Sequence, residues 1–135
     1  MKAVAIHHVS VSVADLDEAL DFYTRLLGLS VRIDRPDTIG PGAWLDAGGQ
    51  QLHLIPAAPP PARGQHFAVL VEDLDATTAE LRAAGVRVTD PVPVGNARQA
   101  FLADPSGNAI ELHEAARPRP AEVRPAGSPA GRRIS

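Results

Sequence analysis

The chain contains the same stretch twice. From His8 it reads HVSVSVADLDEALDFYTRLLGLSV, and from His66 it reads HFAVLVEDLDATTAELRAAGVRV. Shifted by 58 residues, His8 meets His66, Val11 meets Val69 and Val13 meets Val71, while Asp15, Leu16 and Asp17 meet Asp73, Leu74 and Asp75. The second copy then lacks one residue, which sets Gly28 opposite Gly85. A period this long, present twice, describes a duplicated module rather than a solenoid. The fold must therefore be one that a short module builds by pairing with itself.

Each copy follows the same grammar. An alternating strand comes first, over 6–13 and 66–71. Asp15 and Asp73 stand at helix N-cap positions, and Glu18 follows Asp15 in the spacing of a capping box. Leu16, Ala19, Leu20, Tyr23 and Leu27 share one helical face. Gly28 and Gly85 are placed to end the helices in the left-handed conformation. Short strands are expected at about 29–34, 43–47 and 50–55 in copy one, and at about 86–89, 97–103 and 108–114 in copy two. AGGQ and DPSGN supply the last turn of each copy. The expected fold class is α+β: two tandem βαβββ modules, at 5–56 and 65–114, joined by the Pro-rich connector 57–64 in a single domain 1–114. The Pro/Arg-rich segment 115–135 has little to bury and is expected to be a disordered tail.

Composition narrows the function classes. At 135 residues the chain suffices for one domain with a real core. No apolar run approaches the roughly 20 residues that span a bilayer, and MKAVAIHH lacks the pattern of a signal peptide. There is no cysteine, which excludes disulfides and thiolate metal sites and fits a cytoplasmic protein. The net charge is −3, yet the tail holds Arg117, Arg119, Arg124, Arg132 and Arg133 against Glu122 alone. The body is therefore acidic, which argues against nucleic-acid binding. No phosphate loop, nucleophile elbow or dinucleotide fingerprint is present.

The same shift sets His53, in QLHLI, opposite Glu111, in AIELH. Flanking aliphatics on a strand share one face and the polar residue takes the other. His8, with Ser10 and Ser12, lies opposite Val9, Val11 and Val13; His66 lies opposite Phe67, Val69 and Val71. His8, His53, His66 and Glu111 thus occupy matched positions aimed away from the helices. Any one of these histidines alone reads as structural or exposed; four matched positions read as a ligand set, provided the modules pair with pseudo-two-fold symmetry. Three imidazoles and a carboxylate suit Fe, Mn, Co, Ni or Zn rather than calcium. His113 shares the face of Glu111 and either lines the pocket or marks an exposed strand end. His7 falls on the other face, in a structural or exposed role. Trp44 lies on the third strand, where alternation leaves its face open.

HHVSVSVADLDEALDFYTRLLG, QQLHLI, HFAVLVEDLDATTAELRAAGV and FLADPSGNAIELHE resemble the vicinal oxygen chelate superfamily, which includes glyoxalase I, bleomycin-resistance proteins and extradiol dioxygenases. The resemblance covers residues 5 to about 115. It implies one divalent transition metal in the concave cup of a curved mixed sheet, held by His8, His53, His66 and Glu111. In many short members that cup forms between modules of two chains, which implies a homodimer. Glyoxalase I typically has Glu, and methylmalonyl-CoA epimerase Gln, where this chain has His53; many extradiol enzymes use only the set matching His8, His66 and Glu111. Four protein ligands on an octahedral metal leave two positions, enough for the vicinal oxygens of an enediolate. The expected function is accordingly a glyoxalase-like isomerase, epimerase or lyase on a small molecule, with Glu111 or His53 as base. If His53 stays off the metal, a third position opens and extradiol ring cleavage is the alternative. Drug sequestration ranks third, since aromatics are 4% of the chain and a flat drug would lean on Trp44 and Phe101. Ser10, Trp44, Phe101 and His113 are the expected substrate contacts.

Overall fold

The structure, a computed structural model, describes residues 1–115. The expectation of a disordered tail concerns residues beyond that range, apart from Ala115. Module one runs β1 (His8–Val13), α1 (Leu16–Asp21), β2 (Ser30–Val31), β3 (Ala43–Ala47) and β4 (Gln50–Pro56). Module two runs β5 (Phe67–Val71), α2 (Leu74–Ala83), β6 (Val92–Val94), β7 (Ala97–Ala103) and β8 (Ala109–Glu114). Each forms a four-stranded mixed sheet, ordered β1-β4-β3-β2 and β5-β8-β7-β6. In each the first strand lies parallel to the last, and the other pairings are antiparallel. This is the α+β arrangement of tandem βαβββ modules that the repeat implies.

One face of each sheet carries the helix. Val13, Leu45, Leu52 and Leu54 are buried with Ala19, Phe22 and Tyr23 in module one; Ala100, Leu102, Ile110 and Leu112 are buried with Leu74 and Leu81 in module two. Each fully buried Leu or Ile contributes roughly 1.5–3 kcal/mol. Asp15 Oδ1 accepts from Glu18 N and Asp73 Oδ1 from Ala76 N, both at 3.0 Å, so both N-caps form as expected. Gly28 (φ +74°) and Gly85 (φ +87°) end the helical segments in the left-handed region.

The helix of module one is not regular. After Asp21 it widens into a π-helical turn, Phe22–Leu26, closed by Leu27 N donating to Phe22 O at 3.2 Å. A π-turn accommodates one extra residue, and this is the residue by which the first copy exceeds the second. The widened turn buries two consecutive residues, Phe22 and Tyr23.

Module two departs from expectation at 86–89, which forms no strand. Val88 is still buried and Val86 packs against the core. Thr89 N donates to Phe101 O at 2.9 Å, but Phe101 N donates to the Thr89 hydroxyl at 2.8 Å, so a side chain replaces the backbone acceptor. Pro91 then lacks a donor, and the ladder resumes only at Val92, in a hairpin with β7 through Gly95. In module one, β2 is likewise shorter than the expected 29–34.

The DPSGN turn joins the modules. Asn108 Nδ2 donates to Ser12 O at 2.8 Å, Ala14 N donates to Ser106 Oγ at 2.9 Å, and the Tyr23 hydroxyl donates to Asp104 Oδ2 at 2.7 Å.

Among the described residues, the Thr78 hydroxyl on the buried face of α2 is a buried side-chain polar atom with no partner. Thr78→Val keeps the β-branched shape and removes an unmatched donor. It is expected to raise stability by about 1 kcal/mol, read as a higher denaturant midpoint at unchanged slope.

Candidate functional site

The helix-free face of each sheet carries the matched polar residues. In module one, Ser10 on β1 and Trp44 on β3 both register against His53 on β4. Their pleat turns them to one side, and three rings stack in series. Trp44 and His53 centroids lie 4.8 Å apart at 14°, and His53 and His8 centroids lie 3.9 Å apart at 12°. Trp44 is thereby placed on the site face.

His53 Nε2 contacts Gln51 Oε1 at 2.8 Å, and since that oxygen only accepts, the imidazole donates. Partial burial, then the neighbouring His8, His7, Arg35 and Arg32, hold the His53 pKa below its ordinary value. The ring is therefore neutral near pH 7, the form in which imidazole ligates metals.

His7 is exposed, as expected. β1 begins at His8, so His7 lies outside the pleat. Its ring meets His8 edge-on at 5.1 Å, with the two Nδ1 atoms 2.9 Å apart.

Module two presents His66, Glu111 and His113 together. His66 Nδ1 donates to Gly64 O at 2.9 Å, which turns Nε2 toward Glu111 Oε1 at 3.2 Å. A neutral His66 then aims a lone pair at a carboxylate oxygen. Two acceptors facing each other are satisfied only by a proton or by a cation between them, so this pair fits a metal's donor requirements. A backbone carbonyl fixing the far ring nitrogen is also how ligating imidazoles are commonly oriented. His113 Nδ1 contacts the other Glu111 oxygen at 3.1 Å. Phe101, opposite Glu111 in register, meets His66 edge-on at 5.3 Å, as Trp44 stacks on His53 in the first module.

The structure therefore brings His8 to His53 and His66 to Glu111. Among the described residues of one chain, no group of three or more His, Asp or Glu side chains gathers where it could hold a metal ion. Each module carries half of the expected ligand set. A cleft of about 370 Å³ beside the first half is lined by His8, Arg35, Ile39, Pro41, Trp44 and His53. A smaller one, about 180 Å³, lies at the seam between modules and includes Ser10, His66 and Asn108.

Sequence reasoning did not single out Gln51 or Arg35. Period-two alternation from His53 finds Gln51; Arg35 sits in a loop, where no period applies. Arg98 is a surface residue, paired with Asp75 at 2.7 Å. No helix among the described residues is long and apolar enough to cross a membrane.

Comparison with known proteins agrees with this architecture. The family model for the Glyoxalase/Bleomycin resistance protein/Dioxygenase superfamily matches residues 5–112. The chain is 32% identical to a 2-epi-5-epi-valiolone epimerase from Actinomyces sp, over 82% of this chain and 79% of that protein. It is also 32% identical to a protein named as a probable lactoylglutathione lyase from Vibrio cholerae, over 79% of this chain and 88% of that one. A glyoxalase family protein from Bacillus anthracis superposes with a TM-score of 0.76 at 27% identity, covering 84% of this chain and 97% of that one. The chain belongs to the Glyoxalase/Bleomycin resistance protein/Dioxygenase superfamily, as an enzyme related to lyases and an epimerase of that group.

Proposed function

We propose that the chain is a divalent-metal-dependent isomerase, epimerase or lyase acting on a small molecule with two adjacent oxygens, and that His8, His53, His66 and Glu111 hold the metal. One observation carries the reading: each module presents two donor side chains in contact, at positions related by the repeat. A second copy of the chain supplies the complementary half-site, so the active species is a homodimer with two sites. A bound transition metal would act as a Lewis acid toward the substrate oxygens. Glu111 moves the proton, because its two oxygens are already oriented by His66 and His113. Ser10, Trp44, Phe101 and His113 border the substrate.

The contact of His53 Nε2 with Gln51 favours one other reading. If that contact keeps His53 off the metal, His8, His66 and Glu111 form a three-ligand set and extradiol cleavage becomes accessible. Metal content separates the two. Wild-type protein purified without chelator or added metal is expected to carry Fe, Mn, Co, Ni or Zn, and His53→Ala is expected to lose most of it. Wild-type protein that neither carries nor takes up any of these metals would falsify both readings. Full metal retention in His53→Ala, with oxygen uptake on a catechol, would establish the second.

A further inference from the structure

We propose that the module-one cleft contains an anion subsite in which Arg35 takes the carboxylate of a small planar organic acid. The inference rests on the same site and names its substrate class.

Among the described residues, Arg25, Arg32, Arg82 and Arg98 each end on an aspartate carboxylate at 2.7–2.9 Å. Arg35 ends instead on neutral groups: its Nη1 donates to Gly40 O at 2.6 Å and its Nη2 to Pro41 O at 3.3 Å. Those bonds use two of the five guanidinium N–H groups and leave the charge uncompensated. The loop is shaped to hold that head. A Cβ on Gly42 would stand 2.6 Å from Arg35 Nη2 and 2.8 Å from Leu54 O, and Gly42 adopts φ +154°. Only glycine lets the guanidinium lie there without displacing it.

Apart from Arg35, His8 and His53, the cleft is lined by apolar side chains. Ile39, Pro41 and Ile55 line it, and the Trp44 and His53 rings lie nearly parallel within it. One fork-shaped cation beside stacked rings matches a planar monoanion. A guanidinium fork also matches phosphate oxygens, and it is the flat Trp44 and His53 rings beside it that favour a planar acid.

The chain has a single tryptophan, Trp44, so its fluorescence reports on this cleft. Benzoate, its uncharged counterpart benzamide and inorganic phosphate are titrated into metal-stripped and metal-loaded protein. Benzoate is expected to change the signal saturably, at least about tenfold tighter than benzamide, with phosphate at least as weak as benzamide. Arg35→Gln is expected to erase the benzoate preference while leaving benzamide binding and metal content unchanged. Arg35→Lys, which keeps the charge but loses the fork, is expected to fall between. Equal affinity for benzoate and benzamide, an unchanged ratio in Arg35→Gln, or phosphate binding as tight as benzoate overturns the proposal. Loss of benzamide binding in Arg35→Gln would mark a folding role and overturn it as well. A wild-type protein that takes up no metal yet discriminates benzoate removes the metal reading and leaves this subsite standing. Metal uptake without discrimination does the reverse.

Discussion

Asp104→Ala is expected to cost roughly 3–5 kcal/mol of stability, more than any surface substitution in the chain. Asp104 is 5% exposed and accepts four hydrogen bonds, from the Tyr23 hydroxyl at 2.7 Å and from Ser106 N, Asn108 N and Asn108 Nδ2 at 2.9 Å each. Removing the carboxylate strands the buried Tyr23 hydroxyl, at about 1–3 kcal/mol, and leaves three half-buried donors that water can only partly satisfy. Replacing it with the amide spares part of the loss, because one oxygen still accepts, but the new NH₂ then faces donors. Tyr23→Phe removes a single bond to a charged group and is expected to cost about 1.5–3 kcal/mol. By comparison, the exposed Arg25–Asp21 pair, at 2.9 Å, is worth about 0.2–1 kcal/mol. Urea denaturation of the two single variants and the double variant checks this. The coupling energy between Tyr23 and Asp104 should exceed about 1 kcal/mol, and simple additivity would show that the bond contributes nothing net. Tyr23 belongs to module one and Asp104 to module two, so the lost energy is that of a clasp between modules. Burial, then the neighbouring carboxylate, push the phenol pKa well above its ordinary value, so Tyr23 stays a donor throughout the accessible pH range.

The repeat made most of this architecture legible, because a duplicated pattern reports the same alternation twice. Strand faces follow from the side-chain period of two and the helix face from that of 3.6, and the match of His53 with Glu111 follows from the 58-residue shift. The single-residue offset between copies was visible in the sequence, but its structural meaning was not. A π-turn and a longer loop absorb an extra residue equally well, and only packing distinguishes them: Phe22 and Tyr23 must both reach the core. The expected strand at 86–89 failed for a different reason. Val86 and Val88 carry the strand pattern because they fill the core, but the Thr89 hydroxyl and Pro91 interrupt the ladder. Within the site, alternation placed His8, His53, His66 and Glu111, but it did not reach Trp44, whose face depends on the register of β3 against β4. Arg35 was outside its reach altogether. Loop positions have no period, and the space that holds this side chain is created by Gly42, seven residues away.

The other large effect expected is recovery of metal binding by mixing two inactive proteins. His8→Ala/His53→Ala removes both donors of module one, and His66→Ala/Glu111→Ala removes both donors of module two. Each double variant keeps half a site and is expected to bind a transition metal at least about 100-fold more weakly than wild type. If a site is built from module one of one chain and module two of another, a heterodimer of the two variants has one site with all four donors and one with none. Co-expression with statistical pairing should therefore restore about a quarter of the wild-type sites, and the isolated heterodimer about half. The physical motive is the geometry within one chain: His66 Nε2 faces Glu111 at 3.2 Å and His8 stacks on His53 at 3.9 Å, yet among the described residues no three His, Asp or Glu side chains are grouped so that they could hold a metal ion. Sites within single chains predict no recovery in the heterodimer, because neither variant contains both intact halves. A heterodimer that binds no metal while wild type does, or a wild type that sediments as a monomer with full metal content, sinks the shared-site reading. Recovered metal with recovered turnover would also assign the reaction to the composite site, since each parent lacks two of its four donors.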